Sequence, residues 1–62
     1  MDDNRSNDKV RVFRDRRGEW RWTRRAANNK IISTSGEGYR NKSYAIEIAN
    51  SLNADVTVDV ED

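Results

Sequence analysis

Two tryptophans, Trp20 and Trp22, stand at alternate positions shortly after Gly18, and they constrain the fold more than any other feature. Side chains at alternate positions of a strand point to the same face of a sheet. Large aromatic side chains on one face need a core to cover them. The stretch GEWRW at residues 18–22 therefore predicts a β-strand with both tryptophans inside and with Glu19 and Arg21 on the opposite surface.

The size and composition of the chain limit how such a core can be stabilised. A chain of 62 residues forms one small domain, near the lower size limit for folding alone. Such domains usually depend on disulfides, a metal or a partner subunit. The chain has neither cysteine nor histidine, so disulfides, thiolate zinc sites and the commonest metal ligand are excluded. We therefore expect no metal and no cofactor, and association with a partner subunit is the remaining way to stabilise the core.

The segments on either side of the tryptophans also alternate with a period of two. Val10 and Val12 alternate with Lys9 and Arg11, which indicates a half-buried strand, and Phe13 falls on its opposite face. Strands with short connections between them form an antiparallel meander. The first predicted strand begins at residue 9, the second covers about residues 19–26 and the third covers residues 31–34. Turns are predicted between them at residues 15–18 and 27–30.

One helix is predicted after a turn at residues 35–39, in which two glycines bracket a glutamate. Asn41 is its predicted N-cap, and Asn53 is predicted to end it in the left-handed conformation. A helix of about eleven residues is marginal alone, so it must pack on the sheet. Ile46 broadens an apolar stripe that has the helical spacing i, i+3, i+4, i+7. The stripe consists of Ala45, Ile48, Ala49 and Leu52.

The two ends of the chain differ in pattern and in charge. Residues 1–8 show no periodicity and predict a disordered leader before a single domain at residues 9–62. Residues 1–30 hold ten Lys and Arg against five Asp and Glu, whereas residues 31–62 hold two against six. Residues 55–60 alternate valine with polar residues and predict a last strand. If that strand joins the same sheet, its acidic face could lie beside the face that carries Arg21 and Arg25, which would explain the difference in charge between the two halves of the chain.

A small structural or protein-interaction module without chemistry of its own is the function that these features favour. Nucleic-acid binding through the arginine-rich hairpin is the alternative, because arginines that alternate with aromatic residues on a sheet can bind single-stranded nucleic acid. A net charge of only +1 counts against it. The face that would bind is formed by Arg11, Arg21, Arg25 and Arg14.

Catalysis is not predicted. Glu37, Glu47 and Tyr39 are the candidates for acid–base work, and no pair among them has a recognisable spacing. The first residues lack the apolar run of a signal peptide, and no apolar run is long enough to span a bilayer. We therefore expect a cytoplasmic protein with no membrane partner and no small-molecule ligand.

Several motifs together resemble the YegP-like family of small prokaryotic domains of unknown function. The likeness covers roughly residues 10–54, and its most specific elements are GEWRW and SGEGY. The resemblance implies an α+β fold built from a β-β-β-α-β unit. It also implies that two units associate, as tandem copies or as a homodimer, into one continuous sheet with exchanged C-terminal strands. Because this chain holds one unit, the resemblance implies a homodimer. The matching runs are VFRD at 12–15, GEWRW at 18–22, AN at 27–28, II at 31–32 and SGEGY at 35–39.

Overall fold

Four strands and one helix follow the order that the sequence patterns predict. The structure, a computed structural model of the chain, describes residues 7–61. Most of the predicted leader, residues 1–6, lies outside the described residues. The α+β class and the β-β-β-α-β order are confirmed. The elements are β1 (Lys9–Arg14), β2 (Trp20–Arg25), β3 (Ile31–Thr34), α1 (Lys42–Leu52) and β4 (Val58–Val60).

The strands form one mixed sheet in the order β3-β2-β1-β4. The predicted meander is present, because β1 pairs antiparallel with β2 and β2 pairs antiparallel with β3. The helix then carries the chain back across the sheet, so β4 lies parallel to β1 of the same chain. Dimerisation and strand exchange stay predictions.

The turn between β1 and β2 is fixed by one aspartate and one glycine. Asp15 Oδ1 accepts hydrogen bonds from the backbone N–H groups of Arg17 and Glu19, both at 2.9 Å. Gly18 adopts a φ of 85°, a left-handed conformation that glycine reaches without steric cost. In the next turn Asn29 takes a φ of 72°, which a short polar side chain tolerates.

The core lies between one face of the sheet and the helix. Trp20 and Trp22 are buried, as their alternation predicts, beside Val10 and Val12 from β1. The helix contributes two small residues to this core, Ala45 and Ala49. Their size lets the helix approach the aromatic rings closely, so the core is filled mainly from the sheet. Around it pack the half-buried side chains of Tyr39, Ile46, Val56 and Val58.

The N-terminal end of the helix was predicted correctly, and the conformation at its C-terminal end was not. Asn41 is the N-cap, and its side-chain oxygen accepts a hydrogen bond from the Tyr44 N–H at 3.1 Å. Asn53 caps the other end with a φ of −129°, so the left-handed conformation predicted for it is wrong. Leu52 is 66% exposed, so its predicted place in the buried stripe is also wrong. The reason is that the buried Asn53, bonded to Arg24, takes the position under the last helical turn.

The segment between β3 and the helix is tied to β2. Trp20 and Tyr39 exchange two backbone hydrogen bonds, at 2.7 and 2.8 Å, and form an isolated bridge. The Tyr39 ring meets the Tyr44 ring edge-on, with 5.3 Å between centroids. Gly38 lies against Glu19 so closely that a Cβ there would come within 2.7 Å of the Glu19 Cβ. This close approach explains why a glycine stands at that position.

Candidate interaction surface

The sheet has one face covered by the helix and one open face. Arg11 and Arg21 alternate with buried valines and tryptophans, so they belong to the open face together with Arg25. Arg14 pairs with Trp20 in register and its guanidinium carbon lies 5.8 Å from that ring centroid, on the helix side. The structure therefore brings three of the four predicted binding arginines to one face and places the fourth on the other.

Arg21 is neutralised inside its own hairpin. Its Nε donates a hydrogen bond of 2.6 Å to Asp15 Oδ2. That bond and the backbone N–H of Glu19 hold the pKa of the Asp15 carboxyl below its usual value. Arg21 therefore carries little uncompensated charge for a ligand.

Arg11 is compensated by the end of the chain. Its Nε lies 3.4 Å from Glu61 Oε2, and Asp59 stands opposite it in the parallel register with β4. Its guanidinium carbon also lies 4.9 Å from the centroid of the Phe13 ring. The acidic face of the last strand was expected beside the face that carries Arg21 and Arg25, and Asp59 does lie on that face, next to β1 and in the wall of the same groove as Arg25.

Arg25 is the exception on this face. It donates one hydrogen bond of 2.9 Å to the backbone oxygen of Asn29. Within residues 7–61, no carboxylate lies within ion-pair distance of it. Arg25 therefore keeps its positive charge without a compensating carboxylate in the described part of the chain.

A groove of about 360 Å³ runs over the open face beside Arg25. The Thr23 hydroxyl in its wall is buried and has no hydrogen-bond partner within residues 7–61. Three cations and one carboxylate contribute to its walls, so its charge is positive. The lining residues are Lys9, Val10, Arg11, Thr23, Arg25, Asn29 and Asp59.

A buried ion cluster centred on Arg24 was missed by the sequence interpretation. The guanidinium bonds Asp55 at 2.7 and 3.0 Å and Asp8 at 2.9 and 3.0 Å. It also donates to Asn53 Oδ1 at 3.1 Å. The pKa of Arg24 is raised, first by the bonds to Asp55 and then, against the opposing effect of burial, by those to Asp8.

The alternation of side chains along β2 could have indicated this cluster. Arg24 shares the inward-facing parity of Trp20 and Trp22, and a buried guanidinium requires carboxylate partners. The cluster ties residue 8, the end of β2 and the connection from the helix to β4 into one unit.

Comparison with known proteins identifies the family of this chain. The sequence profile of the domain of unknown function DUF1508 matches residues 15–59, from the first turn into β4. The chain belongs to the DUF1508 family. The resemblance to the YegP-like family, which is the same family, is thereby confirmed.

Two curated relatives of this DUF1508 domain come from Neisseria meningitidis. They are UPF0339 protein NMB1088 of serogroup B and UPF0339 protein NMA1193/NMA1859 of serogroup A. Each is 39% identical over 46 residues, which cover 69% of this chain and 80% of the relative. No solved structure gives a significant match.

Residues 7–61 of the DUF1508 domain contain neither a cluster of metal ligands nor a membrane-spanning helix. Within residues 7–61, no three acidic side chains converge on a point where a metal ion could be held. None of the helices in this part of the chain is long and apolar enough to cross a membrane.

The exposed apolar side chains of the DUF1508 domain collect at its margins. Ile31 and Ile32 of β3 are 49% and 55% exposed, and Leu52 and Tyr44 are exposed on the helix. The helix contacts β1, β2 and β4, whereas no contact between α1 and β3 occurs in the described residues. In the described part of the chain, the edge strand β3 is therefore uncovered on both faces and along its outer edge.

Proposed function

We propose that this DUF1508 domain is a non-catalytic, homodimeric protein-interaction module. The observation that carries this proposal is the uncovered edge strand β3, on which every residue is exposed and two are isoleucines. Exposed apolar side chains beside unpaired backbone groups are typical of surfaces that bind other chains. A cytoplasmic location remains part of this proposal and is tested by cell fractionation.

The small core supports a homodimer. Among the buried side chains of residues 7–61, only the two alanines come from the helix, and the largest that are fully buried are valines. Domains of this size commonly gain stability from a second subunit. The edge strand β4 has only three residues and ends in the exposed Val60. It is the edge that the exchange of C-terminal strands, as the family resemblance implies, would use.

Light scattering after size exclusion tests the dimer. We expect twice the mass of the chain at micromolar concentration. Val60→Lys should shift the protein towards the monomer, since a charged residue on a strand edge opposes pairing. Ile32→Lys on the opposite edge is the matched control and should leave the dimer intact. A monomeric mass for the unmodified protein at micromolar concentration would contradict the homodimer.

The positions of the catalytic candidates support the absence of chemistry. Tyr39 bridges to Trp20 through its backbone and packs on Tyr44 through its ring. Glu37 accepts the hydroxyl of Ser35 with its backbone oxygen, within the turn. Neither residue lines the open-face groove. The contacts of Tyr39 and the backbone contact of Glu37 are structural and need no substrate.

Nucleic-acid binding is the second candidate, because the groove holds Lys9, Arg11 and Arg25 on an open sheet face beside Phe13. A single strand would place its phosphates along these cations and stack a base on the ring. A labelled oligothymidylate tests this interpretation by fluorescence anisotropy at low salt. Binding that falls steeply with salt and is lost in Arg25→Gln would support it. No binding by the unmodified protein would exclude it.

A further inference from the structure

The outer edge of β3 has backbone groups that could pair with another strand. The Ser35 N–H donates to the Trp22 oxygen at 3.0 Å, so Ser35 faces β2. Backbone groups in an antiparallel ladder alternate between the partner strand and the outer side. The N–H and C=O groups of Thr34, which lies opposite Thr23, therefore point away from the sheet. An extended chain laid along this edge would find unpaired donors and acceptors.

This edge is short and contains a β-bulge, but it lacks two of the usual protections against pairing, a charged residue and a proline. The strand reads Ile-Ile-Ser-Thr and contains no charge and no proline. Natural proteins commonly place charged residues or proline on an edge strand to prevent unwanted association. A β-bulge at Arg24 and Arg25 is present, and it shifts the register between Ser33 and Ile31 without covering the edge.

The surroundings of the edge select the chemistry of the incoming segment. Ile31 and Ile32 offer apolar surface, and Lys30 immediately precedes them. Arg25 stands opposite Ile31 in the register. Neither cation has a carboxylate within ion-pair distance in the described part of the chain. A partner with apolar side chains and carboxylates would complement both properties.

We propose that β3 is a strand-addition site for an extended partner segment in which apolar and acidic residues alternate. Main-chain hydrogen bonds would give affinity, and the isoleucines and cations would give specificity. This inference rests on the proposed interaction function and names its site and the chemistry of its partner. In the order β3-β2-β1-β4, a dimer joined through β4 leaves β3 at each outer edge, so each dimer presents two such sites.

The test uses a labelled eight-residue peptide of alternating valine and glutamate, with fluorescence anisotropy as the readout. Thr34→Pro removes the outward N–H while keeping a residue type that edge strands accept. Thr34→Val is the matched control, because it loses the same hydroxyl and keeps the N–H. We expect binding to weaken about tenfold or more in the proline variant and to stay unchanged in the valine variant.

Two further measurements test the chemistry and the place of binding. Replacing the glutamates of the peptide with lysines, or Arg25 with glutamine, should weaken binding several-fold. Hydrogen exchange of the Thr34 amide should slow when the peptide is added to the unmodified protein. This readout decides the question even if Thr34→Pro fails to fold.

Four results would overturn the inference. They are no binding at millimolar peptide, equal binding by the lysine peptide, equal binding by a folded Thr34→Pro variant, and an unchanged exchange rate at Thr34. A mass above the dimer that Thr34→Pro abolishes would assign the edge to a second copy instead. The dimer mass is measured separately, so loss of peptide binding with an intact dimer rejects this inference without rejecting the dimer.

Discussion

Replacing Arg24 with methionine removes the centre of the buried ion cluster while keeping a long apolar stem. The side chain of Asp8 is 11% exposed and that of Asp55 is 31% exposed. Water therefore replaces the lost hydrogen bonds poorly at Asp8 and partly at Asp55. The buried Asn53 oxygen also loses its donor. Breaking a buried pair from one side costs about 3–5 kcal/mol, and the exposure of Asp55 favours the lower end, about 3 kcal/mol. That is a large part of the roughly 3–9 kcal/mol expected for a domain of this length.

Urea unfolding followed by tryptophan fluorescence measures this loss, because both tryptophans are buried. Protein concentration must be held constant, since an associating protein changes its apparent stability with concentration. Arg40→Met is the control: Arg40 is exposed and has no ion pair in the described residues, and it should change the unfolding free energy by less than about 0.5 kcal/mol. A loss below about 1 kcal/mol for Arg24→Met, with an unchanged slope, would refute the reasoning.

Two further predictions concern the turns. Gly38→Ala should lower the unfolding free energy by about 1–3 kcal/mol, because the added methyl group overlaps Glu19; an unchanged urea midpoint would contradict this. The lowered pKa of Asp15 means that its carboxylate, bonded to Arg21, stabilises the fold above its ordinary value of 3.8, and that this contribution is lost as pH falls below that value. Asp15→Asn should therefore be less stable than the parent at pH 7 and should approach it near pH 2 in urea unfolding; a pH-independent difference would contradict this.

Local patterns of the sequence predicted the elements well. The alternation around Trp20 and Trp22 gave the inward face of β2, and Asn41 was identified as the N-cap from its residue type alone. Both features depend on neighbours within a few residues, which a sequence displays directly. The spacing of apolar residues also located the helix, although it overestimated the burial of Leu52.

Contacts between distant segments were predicted less well. Nothing local in the sequence states that Val58 lies beside Val10, and this pairing decides which arginines meet the acidic C-terminal segment. The charge asymmetry suggested ion pairs between the two halves of the chain, and Arg11–Glu61 and Arg24–Asp55 are two such pairs. It did not identify Arg24 as the arginine that binds Asp55, because period-two patterns define faces and not registers.

The position of the Arg24 cluster bears on how the last strand chooses its partner. A C-terminal strand exchanged between two copies would make the same contacts with β1 as one that pairs within its own chain. The choice therefore depends on the connection after the helix and on effective concentration, which a short tether raises to about the millimolar range. Arg24 holds that connection at Asn53 and Asp55. The buried guanidinium of Arg24 thus fixes the course of the chain into the C-terminal strand. Its removal should change the protein concentration at which two copies exchange these strands.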